Sequence, residues 1–320
     1  MQPMNSQARP LIYALQQNIH RVMVGKDEAI ELSLITLICK GHILIEDVPG
    51  VGKTTLASAL AKSLQCSFKR VQFTPDVMPS DITGYSMPNL KTGEMEFKEG
   101  AVMSQIVLAD EINRTSPKTQ SSLLEVMEEG QVTVDGITRL LPRPFMVLAT
   151  QNPVDFVGTY PLPEAQMDRF FMRISIGYPS VEEEADVLAR YSGQAKPMET
   201  LIPVCSSQDI IALQDTLGTI YASPETRLYA AGIAAATRNH PALSLGISPR
   251  GTIALLKAAQ ARALLSGRDY VLPDDIQAMA LPVLTHRLQL TPEARMQGGS
   301  AQQILTGVLN TVAVPVARRQ

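Results

Sequence analysis

The patterning of this 320-residue chain predicts an α/β domain on a five-stranded parallel sheet, followed by a smaller all-helical domain. Three observations carry that expectation. Five short apolar runs, at 43–46, 68–73, 105–109, 145–149 and 170–176, are rich in Ile, Val, Leu and Phe. Near-continuous apolar runs suit parallel strands buried on both faces. Helix-like segments at 53–64 and 118–129 lie between them, and such alternation belongs to α/β layers. After Tyr178-Pro179 the strands stop, and segments at 181–191, 207–217, 224–238, 249–266 and 273–286 read as helices separated by Pro, Gly and Ser. The expected division is therefore 1–178 and 179–320.

The first run leads into Asp47-Val48-Pro49-Gly50-Val51-Gly52-Lys53-Thr54-Thr55. Strand, glycine-containing loop, lysine, hydroxyl and helix form the layout of a loop that wraps phosphates. Its backbone N–H groups and the helix N-terminus attract an anion. Lys53 would reach the outer phosphates and Thr54 would hold Mg²⁺. Asp47 stands where the strict pattern has its first glycine.

The third run ends in Asp110-Glu111. Asp110 could hold Mg²⁺ through water, and Glu111 could orient and deprotonate an attacking water. Two solvated acids at a strand end is the plainer alternative. The fourth run ends in Thr150-Gln151-Asn152-Pro153; Asn152 could position the water, although Asn-Pro is also a simple turn signal. Arg169, in Asp168-Arg169-Phe170, could reach a neighbouring subunit's nucleotide or form an ordinary ion pair. In Ser248-Pro249-Arg250, Ser248 reads as an N-cap and Pro249 as the first helical residue. Arg250 then sits in a first turn, where the helix dipole disfavours a cation. A nearby anion would rationalise it, either a γ-phosphate or an acidic side chain.

Two insertions interrupt the α/β pattern. Segment 131–140 alternates around Asp135-Gly136, a strong hairpin signal. Segment 84–101, centred on Lys91-Thr92-Gly93-Glu94, reads as a second hairpin. Either could touch a substrate or simply pack.

Composition narrows the classes. With 45% hydrophobic residues the chain can bury a sizeable core. A net charge of −3, no tryptophan and no Lys/Arg cluster argue against a nucleic-acid motor. Cys39, Cys66 and Cys205 lack metal-ligand spacing and read as buried thiols in a reducing compartment. No apolar run approaches the roughly 18 residues of a membrane span. The N-terminal stretch lacks the apolar core and cleavage site of a secretory signal, so the cytoplasm is the expected location.

Asp-Val-Pro-Gly-Val-Gly-Lys-Thr (47–54), Asp-Glu-Ile-Asn-Arg (110–114), Ala-Thr-Gln-Asn-Pro (149–153), Leu-Pro-Glu-Ala-Gln-Met-Asp-Arg-Phe (162–170) and Ser-Pro-Arg (248–250) together resemble the MoxR family of AAA+ ATPases. The resemblance spans roughly 24–287 and tolerates Asp47. It implies that Pro49, Gly50, Val51, Gly52, Lys53, Thr54, Thr55 and Asp110 bind ATP, with Thr54 and Asp110 on Mg²⁺. It makes Glu111 the catalytic base, Asn152 a sensor, Arg169 a trans-acting arginine finger and Arg250 the lid sensor of the γ-phosphate. Val24-Gly25 matches the box that contacts adenine. The ATP would lie between the α/β domain and the lid. A hexameric ring is implied, together with a chaperone-like role in maturing or remodelling partner complexes, often with a partner carrying a von Willebrand factor A domain. A nucleotide switch with little turnover is the alternative that Glu111 and Asn152 together argue against.

Overall fold

The computed structural model describes residues 5–152, 158–192 and 197–315. Pro153 lies outside them. Two helices, α1 (Asn5–His20) and α2 (Asp27–Ile38), precede the first strand. The α/β alternation then runs β1 (Ile43–Glu46), α3 (Lys53–Ser63), β2 (Phe68–Gln72), α4 (Pro79–Thr83), a hairpin β3 (Gly84–Pro88) and β4 (Met95–Glu99), β5 (Ile106–Asp110), α5 (Pro117–Glu129), a hairpin β6 (Gln131–Val134) and β7 (Ile137–Leu140), β8 (Met146–Gln151), α6 (Glu164–Met167) and β9 (Met172–Ile174).

The central sheet is parallel, in the order β2-β5-β8-β1-β9. Successive side chains of its inner strands enter opposite cores. Ile43, Ile45, Ile106, Leu108, Met146 and Leu148 join one cluster, while Leu44, Val107, Ala109, Val147 and Ala149 join the other. That period-2 division explains why the strands read as unbroken apolar runs. The run at 68–73 departs from the expected burial. β2 is the edge strand, and Lys69, Arg70 and Gln72 are exposed. With a partner strand on one side only, β2 carries the charged residues that edges tolerate.

Beyond β9 come α7 (Val181–Tyr191), α8 (Ser207–Thr216), α9 (Pro224–Arg238), β10 (Leu243–Leu245), α10 (Pro249–Leu265), α11 (Pro273–Leu284), β11 (Gln289–Leu290), α12 (Pro292–Met296) and α13 (Ala301–Thr311). Among the described residues the lid is thus helical apart from a short antiparallel ribbon, β10–β11, and a single Tyr221–Tyr270 bridge, each too brief to carry an alternating signal. Serine caps match the sequence signals: Ser180, Ser206, Ser223 and Ser248 each accept a backbone N–H at the start of their helices.

The lid shares the core that includes α1–α3. Its residues Ile233, Leu255, Ala258, Ile276 and Val283 belong to the same buried cluster as Ile12, Ile30, Ile35 and Leu60. α10 packs against α1 and α2, and α11 packs against β9. The lid therefore sits on the helices behind one sheet face. Buried Asp275 stiffens it, paired with Arg262 at 2.9 Å and Arg268 at 2.7 Å. Cys39 is buried, whereas Cys66 and Cys205 are only half-buried, and all three thiols are free.

Both inserted segments are hairpins. Asp135 and Gly136 have φ of +52° and +74°, as the two-residue turn requires. The Arg139 guanidinium lies 3.9 Å from the centre of the Phe97 ring and joins the two hairpins. Their outer positions include exposed Leu90, Met95, Ile137 and Leu140.

Candidate active site

A cleft of about 380 Å³ opens at the C-terminal ends of β1, β5 and β8. Pro49, Gly50, Gly52, Lys53, Thr54, Thr55, Arg70, Gln72, Asp110, Glu111 and Asn152 line it. Ligands in open α/β sheets bind at this strand end. β8 lies between β1 and β5, which brings Asn152, 7% exposed, beside the phosphate loop. Gly50 and Gly52 adopt φ of +87° and +99°, where a side chain would be strained. No atom lies within 4 Å of where a Gly50 Cβ would stand, so the loop leaves open space at its crest. Gly52 caps α3 from the left-handed region and directs the first N–H groups of α3 toward the cleft. Loop, helix terminus, Lys53 and the Thr54 hydroxyl make a donor set that fits a polyphosphate. The hydroxyl and the Asp110 carboxylate are hard oxygen ligands that fit Mg²⁺.

Lys53 Nζ donates to the Asp47 carbonyl at 2.5 Å. Burial pulls this ammonium below the ordinary lysine range, and Asp47, Asp110 and Glu111 partly oppose that pull. The Asp47 side chain has a separate task. Its Oδ2 accepts from Ser175 Oγ at 3.0 Å, Ile176 N at 2.5 Å and Gly177 N at 2.9 Å. The departure from the glycine pattern thus ties the mouth of the loop to the chain that leaves β9 for the lid. Val51 is buried, and Met23 packs 3.6 Å from where a Gly52 Cβ would stand, which brings the Val24-Gly25 segment alongside the loop.

The two carboxylates are held differently. Thr150 Oγ1 donates to Asp110 Oδ1 at 2.6 Å and accepts the Glu111 N–H at 2.8 Å, locking the end of β5 to β8. Asp110 Oδ2 accepts from Arg70 Nη2 at 2.6 Å. Glu111 sits at φ +57°, a strained conformation that turns its carboxylate off the strand. Gln72 Nε2 donates to Glu111 Oε2 at 2.8 Å, and Arg114 Nε lies 3.1 Å from the same oxygen.

Arg169 and Arg250 are not among the residues that line the cleft. They meet elsewhere, on a single carboxylate. Arg169 Nε is 2.9 Å from Glu128 Oε2, and Arg250 Nη1 is 2.7 Å from Glu128 Oε1. The lid packs on the helices behind one sheet face, and the lining of the phosphate cleft comes from the α/β domain. The anion beside Arg250 in this structure is the Glu128 side chain. Glu128 occupies the last turn of α5 and Arg250 the first turn of α10, so each charge is disfavoured by its own helix and satisfied by the other. Arg287 braces this face from the lid. Almost fully buried, it pairs through Nε with Asp168 Oδ1 at 2.6 Å and donates to the Phe170 carbonyl at 2.7 Å. Two buried histidines brace it further. His42 Nε2 donates to the Met127 carbonyl at 3.0 Å, and its Nδ1 accepts from Val147 N. His286 Nε2 donates to the Phe170 carbonyl at 3.1 Å.

Arg70, Gln72, Glu128 and Arg287 had no signal in the sequence. Each acquires its role through a partner 39 to 122 residues away, with nothing periodic or motif-like around it.

A model of the ATPase family associated with various cellular activities matches residues 42–172, and an AAA lid domain model matches 235–308. The chain is 55% identical to the uncharacterized protein YeaC of Bacillus subtilis, over 97% of this chain and 96% of that one. It is 40% identical to the chaperone MoxR1 of Mycobacterium tuberculosis, over 93% and 80% respectively. A crystal structure from Cytophaga hutchinsonii, described as that of a candidate ATPase, superposes with a TM-score of 0.92 at 39% identity, covering 98% of this chain and 97% of that one. With its phosphate loop, paired strand-end carboxylates and helical lid, the chain belongs to the MoxR family of AAA+ ATPases.

Proposed function

We propose that this protein is a Mg²⁺-dependent ATP hydrolase that works as a ring and remodels or matures partner protein complexes. The observation that carries the reading is the cleft at the end of β1, β5 and β8, where Lys53, Thr54, Asp110, Glu111 and Asn152 converge. Lys53 and the loop N–H groups bind the outer phosphates. Thr54 and Asp110 would hold Mg²⁺, which when bound would neutralise phosphate charge. Glu111 accepts the proton of the attacking water, and Asn152 orients that water.

Arg169 and Arg250 complete the site of a neighbouring protomer. Glu128 holds both on one face of the same protomer, outside its own cleft, which supports joint action across an interface. A head-to-tail contact of this kind closes into a ring, and the family resemblance favours a hexamer. Chaperone naming among the relatives supports a client protein complex as the substrate, with a von Willebrand factor A protein as a partner class to test. No helix among the described residues is long and apolar enough to cross a membrane, and a cytoplasmic location fits this role.

Steady-state phosphate release tests the chemistry. Glu111→Gln should lower turnover by roughly a hundredfold or more while nucleotide still binds. An unchanged rate would remove Glu111 from the role of base. The same variant, loaded with ATP, should retain its client in a pull-down.

A further inference from the structure

The phosphate cleft contains a cation that none of the sequence motifs assigns. Arg70 projects from edge strand β2, half-exposed, and lines the cleft opposite the phosphate loop. Its Nη2 donates to Asp110 Oδ2 at 2.6 Å and to Gln72 Oε1 at 3.2 Å. The other Asp110 oxygen is taken by the Thr150 hydroxyl at 2.6 Å. The two partners of this ion pair differ in freedom. The Asp110 side chain is 15% exposed and fixed by Thr150, whereas that of Arg70 is 48% exposed on the sheet's outer edge. If one partner moves, it is the arginine.

Asp110 is also the carboxylate best placed to receive a divalent cation in this cleft. A guanidinium and Mg²⁺ seek the same oxygen, and like charges do not share it without cost. Lys53 already serves the phosphate loop. Arg70, by contrast, spends its contacts on the acidic side of the cleft, with Asp110 and Gln72.

We propose that Arg70 is a built-in competitor for the divalent cation at Asp110. It neutralises the carboxylate through Oδ2, and it would yield that oxygen to a divalent cation entering with nucleotide. This inference rests on the nucleotide-binding reading of the cleft. The exchange links metal loading to the release of a charged side chain at the exposed edge of the sheet. It also sets the Mg²⁺ concentration at which the site fills.

The test uses the full-length protein and a fluorescent ADP, titrated with Mg²⁺ and, separately, measured in excess chelator. Arg70→Gln removes the competitor, so the half-saturating Mg²⁺ concentration should fall by about three- to tenfold, a size set by the partial exposure of the pair. Affinity in chelator should fall only modestly, by no more than about threefold, because Arg70→Gln leaves the Asp110 charge unpaired but removes no phosphate ligand. Arg70→Lys keeps the charge and should keep Mg²⁺ half-saturation close to that of wild type. An unchanged or higher Mg²⁺ requirement in Arg70→Gln overturns the proposal. So does a loss of binding in chelator of about tenfold or more, which would make Arg70 a phosphate ligand instead. Wild-type protein that binds the probe under neither condition would defeat the nucleotide reading itself, before any variant is made.

Discussion

The phosphate cleft and the arginine face are built on opposite terms. The cleft gathers its groups inward: a loop, a helix terminus, two carboxylates and Asn152 line one cavity of a single chain. The arginine face gathers Arg169 from the end of the α/β domain and Arg250 from the lid onto Glu128, with neither residue lining that cavity. The cleft has what nucleotide binding requires. The arginine face instead holds two guanidiniums on one carboxylate, outside that cavity's lining. On the proposed reading, binding and hydrolysis are divided between two surfaces of one protomer, so that chemistry waits for a neighbour.

The largest expected effects test that division. Arg169→Ala and Arg250→Ala should each lower hydrolysis by about 10²-fold or more, as arginine fingers do, yet leave the affinity of isolated protomers for fluorescent ADP within about twofold. A tenfold loss of protomer affinity in Arg250→Ala would place the lid arginine on its own nucleotide and dissolve the comparison.

Asp47 offers a sharper test of the cleft. Asp47→Ala strands the buried N–H of Ile176 and the part-buried N–H of Gly177 and frees the loop from the end of β9. The expected cost is about 2–4 kcal/mol of unfolding free energy, measured by chemical denaturation. Nucleotide binding should weaken alongside. Full stability would mean that water replaces the carboxylate.

The smallest effect per side chain concerns pH and falls on the arginine face. Burial holds His42 down at about 4 and His286 well below the ordinary imidazole range. In the unfolded chain both titrate near 6.5, so the unfolded state takes up protons first as pH falls. Stability should therefore be full above about pH 6.5 and decline toward pH 4, by about 1 kcal/mol per pH unit for each histidine. Denaturant midpoints at pH 7.5 and 5 measure it, and His42→Gln should flatten part of the slope. A flat wild-type profile would contradict the bracing role assigned to these side chains.

The cleft was legible in the sequence because its parts are local. Each is a short motif at a strand end, and the apolar runs located β1, β5 and β8 to within two residues. The arginine face was only half legible. Arg250's position against its helix dipole signalled a missing anion, but Glu128 is joined to it solely by tertiary packing. β2 was misread as buried because apolar Phe68 and Val71 dominate a strand whose exposure is set by its place at the edge. The helix α2 was not singled out because Ala29 to Ile38 are buried almost all round, which erases the amphipathic period that marks a surface helix.

The central claim, that the two surfaces complement each other between protomers, has one direct measurement. Lys53→Ala retains the arginine face and loses the cleft, while Arg169→Ala does the reverse. Phosphate release from a mixture of the two inactive proteins should recover a measurable fraction of wild-type turnover as mixed sites form. No recovery, with mixed oligomers demonstrated in the same sample, would contradict the account.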